Sequence, residues 1–72
     1  MKNLIKVERA RHDLSQQQLA DILGVTRQSI CAIENRKFIP STLLALRMAK
    51  LFKLKVEEIF LLEESEYEQL HL

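Results

Sequence analysis

The most constraining feature of the sequence is a pair of helix-start signals on either side of Gly24, the single glycine of the chain. Ser15 followed by Gln18 has the spacing of a capping box, in which the two side chains satisfy backbone N–H groups. Thr26 is suited to cap a second helix. A glycine between two helices adopts the left-handed conformation and turns the chain sharply. The pattern predicts two short helices, over residues 16–23 and 27–34.

Apolar residues occur at the positions where two such helices would contact each other. These positions hold Leu19, Leu23, Val25, Ile30 and Ile33, and Ala20 is the small residue that permits close approach. Fixed apolar offsets around a glycine turn are typical of a helix-turn-helix.

The rest of the chain also indicates an all-α domain. One glycine and one proline in 72 residues, with apolar residues recurring every three or four positions, favour helices with short connections. Asn3 is suited to cap a first helix, Ser41 after Pro40 a fourth, and Leu54 with Ile59 can staple a fifth. The predicted helices span residues 4–12, 16–23, 27–34, 42–52 and 56–61.

Charge is unevenly distributed along the chain. All 11 Lys and Arg lie within residues 1–56 beside only four acids, whereas the last 16 residues carry six glutamates and no Lys or Arg. This split indicates a body that binds a polyanion and an acidic end turned away from it, although charge runs are also ordinary solvated surface. We divide the chain into a domain of residues 1–62 and an acidic tail of residues 63–72, which can contribute to a dimer interface. The tail fits an irregular segment, a strand or a helix extension.

Composition excludes several classes of protein. Cys31 is the only cysteine, and it forms no metal-ligand spacing with His12 or His71. No apolar run approaches the roughly 20 residues of a membrane span, and the N-terminal residues lack a signal-peptide segment. No nucleophile, general base or metal set can be assembled. We expect a cytoplasmic protein that is not an enzyme and that uses no cofactor, metal, membrane or small-molecule effector.

The segment SQQQLADILGVTRQSICAIENRKFIPS resembles the Xre family of helix-turn-helix regulators, relatives of the lambdoid phage repressors and Cro proteins. The resemblance continues through LLALRMAKLF and VEEIFLLEE, and it covers residues 3–64. It implies a five-helix, lambda-repressor-like domain that binds double-stranded operator DNA as a homodimer, with its third helix in the major groove. Two positions depart from the family pattern. Asn35 replaces a common glycine but also accepts the left-handed conformation, whereas Glu8 replaces an apolar residue and leaves the packing of the first helix open.

The outward face of the third helix is the candidate for base readout. On a helical wheel Thr26, Ile30 and Ile33 point inward, so Gln28, Cys31, Ala32 and Asn35 point outward with Arg27 at the flank. Arg27 can make a bidentate contact with guanine, Gln28 with adenine, and Ala32 can touch a thymine methyl group. We interpret Cys31 as a small residue that permits close approach to the groove, although its oxidation would place bulk against DNA.

Phosphate contacts need backbone N–H groups at helix N-termini and flexible donors beside them. The candidates are Gln16, Gln17, Thr26, Ser29, Asn35, Arg36 and Lys37. Arg36 and Lys37 also fit the simpler interpretation of a solvated loop.

The resemblance further implies that Arg9 pairs with Glu34, a contact that would fix the angle of the third helix.

We interpret the chain as a sequence-specific DNA-binding regulator that acts by occupying an operator, with repression favoured over activation. Uncovered leucines on so small a domain favour dimerisation. The predicted interface comprises Leu61, Leu62, Tyr67 and Leu70. The alternative is a protein-interaction module, such as an antitoxin or anti-repressor, whose contact surface comprises Leu43, Leu46, Leu51, Leu61 and Leu62.

Overall fold

The computed structural model describes residues 1–68 and 70, so His71 lies outside the described residues. Within them the helices are α1 (Ile5–Arg11), α2 (Gln16–Leu23), α3 (Arg27–Glu34), α4 (Thr42–Phe52), α5 (Val56–Ile59) and α6 (Glu64–Tyr67). Strands β1 (Lys2–Asn3) and β2 (Phe60–Leu61) form one antiparallel pair, with Lys2 opposite Leu61 and Asn3 opposite Phe60. The predominance of helix confirms the predicted all-α class. None of the described helices has the length and apolar content needed to cross a membrane.

The predicted bounds of α2, α3 and α4 are confirmed, because each helix is capped by a side chain next to it in sequence. Ser15 Oγ accepts a hydrogen bond from the Gln18 backbone N at 3.0 Å, and Gln18 Oε1 accepts one from the Ser15 backbone N at 2.8 Å. These two bonds are the predicted capping box. Thr26 and Ser41 each accept a hydrogen bond at 3.1 Å from the backbone N–H three residues later.

The predicted bounds of the first and fifth helices, 4–12 and 56–61, are wrong. α1 is one residue shorter at each end, since Leu4 and His12 occupy the cap positions. α5 ends at Ile59 because Phe60 adopts extended backbone, with φ −110° and ψ 121°, and pairs with Asn3. The pairing joins distant parts of the sequence, so the helical spacing of apolar residues does not reveal it.

The four longer helices all end in the same left-handed turn. The left-handed residues are Asp13, Gly24, Arg36 and Lys53, with φ between 53° and 72°. In each turn the N–H of the following residue donates to the carbonyl five residues earlier, at 2.9 to 3.0 Å, which is a Schellman motif. After α3 the left-handed residue is therefore Arg36 and not the predicted Asn35, whose φ is −84°.

The core is formed mainly by α2, α3 and α4, with single residues from α1, α5 and β2. Its buried apolar residues are Ile5, Leu19, Ala20, Leu23, Ile30, Ile33, Leu44, Met48, Ala49, Phe52, Ile59 and Phe60. The predicted helix-turn-helix positions are thus buried apart from Val25, which is half-buried against the core. This burial fixes α3 against α2 and leaves the other face of α3 at the surface.

Glu8 is buried on α1, with a side chain that is 7% exposed. Its Oε2 accepts a hydrogen bond from Arg11 Nη1 at 2.9 Å, and Arg11 itself is exposed. Because a buried carboxylate is costly unless it is paired, this contact explains how α1 accommodates an acid where an apolar residue is common.

Candidate nucleic-acid interface

α3 buries one face in the core and exposes the other face at the surface. Ile30 and Ile33 lie in the core, whereas the opposite face forms a shallow depression of about 320 Å³. The depression is lined by Arg27, Gln28, Cys31, Ala32, Asn35 and Lys37, none of which is acidic. Thr26, predicted to point inward, is exposed because it occupies the N-cap position before the first turn.

The three candidates for base readout lie together on this depression. Arg27 and Gln28 are exposed on the first turn of α3, and Ala32 follows one turn later. Within the part of the chain that the structure describes, neither Arg27 nor Gln28 makes a side-chain hydrogen bond. Their donors and acceptors are therefore available to a ligand.

The starts of α2 and α3 place several polar groups at the surface. Gln17 Nε2 donates to Asp21 Oδ1 at 2.8 Å, and the hydroxyls of Thr26 and Ser29 lie 2.9 Å apart. The backbone N–H groups of Gln16 and Gln17 stand in the first turn of α2, where no intrahelical acceptor exists. Free amides at a helix N-terminus favour a bound anion.

Arg9 and Glu34 are brought together by the fold. Arg9 Nε donates to Glu34 Oε2 at 2.8 Å, its Nη2 donates to Glu34 Oε1 at 3.2 Å, and its Nη1 donates to the Leu14 carbonyl at 2.9 Å. The hydrogen bond to Glu34 raises the pKa of the Arg9 guanidinium above its ordinary value. The side chains are 16% and 5% exposed, so the Glu34 charge is compensated inside the protein.

Gln16 is the third member of this cluster, which sequence reasoning missed. Its Nε2 donates to Glu34 Oε1 at 3.1 Å, so one carboxylate links α1, α2 and α3. The Gln16 side chain, predicted to contact phosphate, is thus already engaged through one of its N–H groups. The only signal in the sequence was that Gln16 stands at the start of α2. That position is equally consistent with a bond to Glu34 and with a contact to a phosphate.

Asn3 makes a second missed contact with α3. Its Nδ2 donates to the carbonyl of Ile33 at 2.9 Å, while its Oδ1 accepts from the Ile5 backbone N at 3.3 Å. The side chain therefore meets the start of α1 as a cap residue would, and it also holds the C-terminal end of α3. The second role depends on the pairing of β1 with β2.

The loop after α3 carries the remaining polar candidates. Asn35 Nδ2 donates to Cys31 Sγ at 3.4 Å, and Lys37 is exposed. Arg36 Nη2 forms an ion pair with Glu63, a contact with the acidic segment that the sequence did not suggest. Phe38 was also missed, although it is 53% exposed and lies beside Gln28 on the same face.

The predicted dimer residues all lie at the surface of the chain. Leu61, Leu62, Tyr67 and Leu70 are between 36% and 75% exposed. Leu61 is in β2 and Tyr67 ends α6, so these side chains belong to the segment that follows α5.

The sequence is similar to known regulators over almost its whole length. A family model for the helix-turn-helix matches residues 5–59. The chain is 50% identical over 64 residues to the uncharacterized HTH-type transcriptional regulator YgzD of Bacillus subtilis, which covers 89% of this chain and 97% of that protein. It is 52% identical over 66 residues to an uncharacterized HTH-type transcriptional regulator of Methanocaldococcus jannaschii, which covers 92% of this chain and 100% of that protein.

A third relative comes from a phage. The chain is 37% identical over 71 residues to the ImmF control region 10 kDa protein of Bacillus phage phi105, which covers 92% of this chain and 79% of that protein. The family match and the structure agree, because the matched residues include two helices that pack into the core and are joined at Gly24. The chain therefore belongs to the Xre-like helix-turn-helix family of DNA-binding transcriptional regulators.

Proposed function

We propose that this chain represses transcription by occupying a near-palindromic operator as a homodimer, with α3 in the major groove. The observation that carries the proposal is the outward face of α3, where Arg27 and Gln28 are exposed and no acid lines the depression. An acid-free face suits a groove bordered by phosphates. Repression is the simplest outcome, because a protein that occupies an operator excludes other proteins from it.

Base readout is assigned to Arg27, Gln28 and Ala32. The guanidinium of Arg27 presents two parallel donors that match the O6 and N7 acceptors of guanine, and the Gln28 amide matches the N6 and N7 of adenine. The Ala32 methyl is suited to contact a thymine methyl group. The support for this assignment is that all three line one depression.

Phosphate contacts are assigned to two groups of residues. The first comprises the starts of α2 and α3, with Gln16, Gln17, Thr26 and Ser29. The second is the loop after α3, with Asn35, Arg36 and Lys37. These contacts position the protein and carry no sequence information of their own.

The dimer interface is assigned to the segment after α5, with Leu61, Leu62, Tyr67 and Leu70. Their exposure on a chain of 72 residues supports the assignment, because exposed apolar patches commonly mark interaction sites. A two-fold dimer would hold its two α3 helices about 34 Å apart, which is one turn of DNA.

A protein-interaction role is the second candidate. Leu43 and Leu46 are exposed on α4, as the alternative requires, but Leu51 is half-buried against the core. The two functions are separated by Leu43→Ser, which removes exposed apolar surface on α4 and leaves the outward face of α3 unchanged. A regulator that acts through DNA keeps its operator affinity in this variant.

The test of the proposed function is selection of binding sites from a random pool of DNA duplexes, followed by titration of the selected sequence. We expect a near-palindrome with half-sites about one helical turn apart. Its affinity should exceed that for unselected DNA by roughly 10³-fold or more at physiological salt. Recovery of no common sequence would contradict sequence-specific regulation.

A further inference from the structure

A further concave surface of the described chain is lined by none of the proposed DNA-contact residues. It is a groove of about 780 Å³ between the end of α4 and the start of α5. Its apolar lining comprises Leu46, Ala49, Leu54 and Val56, and its charged lining includes Lys50, Lys53 and Lys55. We call it the lysine groove. Glu57 is the only acid among the lining residues.

The lysine groove lies at the opposite end of α4 from the loop that carries the proposed phosphate contacts. α4 has 11 residues, so it is about 16 Å long at 1.5 Å per residue. The loop that carries Arg36 and Lys37 precedes the first turn of α4, whereas Lys50 and Lys53 lie at its last turn. A groove lined by lysines and apolar residues is complementary, in charge and in apolar surface, to a segment that contains both acids and apolar side chains.

The chain itself contains a segment of that kind. Glu64, Tyr67, Glu68 and Leu70 are exposed in and after α6, and the last 16 residues hold no Lys or Arg. Among the ion pairs of the described residues, Glu63 contacts Arg36, and none involves Glu64 or Glu68. Two carboxylates and two apolar side chains are thus available to a partner.

In the structure, ion pairs with Arg36 and the Met1 amino group hold the start of this segment away from the lysine groove of its own chain. Glu63 holds the start of α6 beside Arg36, near the first turn of α4, whereas the groove lies at the opposite end of that helix. The groove of a second chain is not subject to this constraint.

We infer that Glu64, Tyr67, Glu68 and Leu70 of one copy bind the lysine groove of a second copy, and that the second copy returns the same contact. The inference rests on the proposed dimer and names the surface that receives its C-terminal segment. Because both complementary surfaces are on one chain, two identical contacts close a two-fold dimer.

The test is a charge exchange measured by sedimentation equilibrium of the full chain. One variant carries Lys50→Glu with Lys53→Glu, and the other carries Glu64→Lys with Glu68→Lys. Each variant alone places like charges in both contacts, so its dimer dissociation constant should rise roughly tenfold or more. In an equimolar mixture both contacts of a mixed dimer regain opposite charges, and we expect its dissociation constant to return close to that of the unmodified chain.

A matched control is Lys6→Glu with Arg47→Glu, which makes the same change of net charge at exposed sites that do not line the groove and should leave the dimer unchanged. The inference is overturned if either exchange variant dimerises as well as the unmodified chain, or if the mixture fails to regain association. It is also overturned if the unmodified chain stays monomeric. If a double variant does not fold, Lys50→Gln and Glu64→Gln replace the reversals, and each should weaken the dimer without restoring it on mixing.

Binding to a duplex with one half-site separates this inference from the proposed function. The folded Lys50→Glu, Lys53→Glu variant should bind one half-site like the unmodified chain, because these lysines lie away from α3. Intact half-site binding with no effect on the dimer refutes the inference alone. Absence of specific half-site binding in the unmodified chain refutes the proposed function alone.

Discussion

Removal of the charge of Glu34 tests the cluster that Glu34 forms with Arg9 and Gln16. Glu34 is 5% exposed and accepts two hydrogen bonds from Arg9 and one from Gln16. In Glu34→Gln the amide replaces one acceptor oxygen by a donor that faces the guanidinium, and the Arg9 charge loses its counterion. Breaking a buried ion pair costs about 3 to 5 kcal/mol. We expect the lower end, about 3 kcal/mol, because Arg9 is 16% exposed and keeps its bond to the Leu14 carbonyl.

A loss of this size is large for the domain. At about 0.05 to 0.15 kcal/mol per residue, 72 residues correspond to a stability of about 4 to 11 kcal/mol. The same loss lowers the melting temperature by about 12 to 24 °C for a domain of this size. The assay is thermal unfolding followed by circular dichroism, with urea unfolding as an independent measure of the free energy.

The matched control is Asp21→Asn, which neutralises an exposed carboxylate on α2 and keeps an oxygen to accept the bond from Gln17, so the melting temperature should stay within about 2 °C. Arg9→Gln and the double variant with Glu34→Gln complete a double-mutant cycle. A coupling energy of about 2 kcal/mol is expected, since contacting charged residues couple by about 0.5 to 3 kcal/mol. Equal melting of Glu34→Gln and Asp21→Asn, or additive single losses, would refute the reasoning.

Three further predictions concern the turns, the loop and the cysteine. In urea titrations Gly24→Ala should lower the free energy of unfolding by about 1 kcal/mol, whereas Asp13→Gly should raise it by up to about 1 kcal/mol, because both positions are left-handed. Equal stabilities would contradict this. Glu63→Gln should strengthen DNA binding about threefold in fluorescence anisotropy by releasing Arg36 for phosphate, and unchanged or weaker binding counts against the assignment of Arg36. Alkylation of Cys31, which lines the depression on α3, should weaken operator binding roughly tenfold without lowering the melting temperature, and operator DNA that fails to protect the thiol would argue against contact.

The parts of the fold that the sequence predicts are those encoded by neighbouring residues. The side chains of Ser15, Thr26 and Ser41 accept bonds from backbone groups three residues away, so a short pattern determines where α2, α3 and α4 begin. Gly24 ends α2 for an equally local reason, since its left-handed φ of 72° is easily reached by glycine.

The parts that the sequence does not predict depend on contacts between distant residues. Phe60 leaves the helical conformation to pair with Asn3, and Asn3 reaches the carbonyl of Ile33 at the end of α3. The left-handed residue after α3 was predicted one position too early for another reason. Intrinsic preference favours Asn35 in the left-handed position, but the Schellman bonds place Arg36 there.

The candidate site divides in the same way. The outward positions of Arg27, Gln28 and Ala32 follow from helical periodicity once Ile30 and Ile33 are assigned to the core. The bonds from Gln16 to Glu34 and from Arg36 to Glu63 join separate elements, so they require the folded structure.

The central claim is that the first turn of α3 reads bases, and it is tested by titrating Arg27→Ala and Gln28→Ala against the operator and its single base-pair variants. Each substitution should cost about 1 to 3 kcal/mol on the operator and relax the preference at one or two base pairs. Arg36→Ala and Lys37→Ala should instead weaken all sequences similarly and reduce the salt slope by about one per lost phosphate contact. Unaltered affinity and base preference in the two α3 variants, together with failure of the loop variants, would contradict the account.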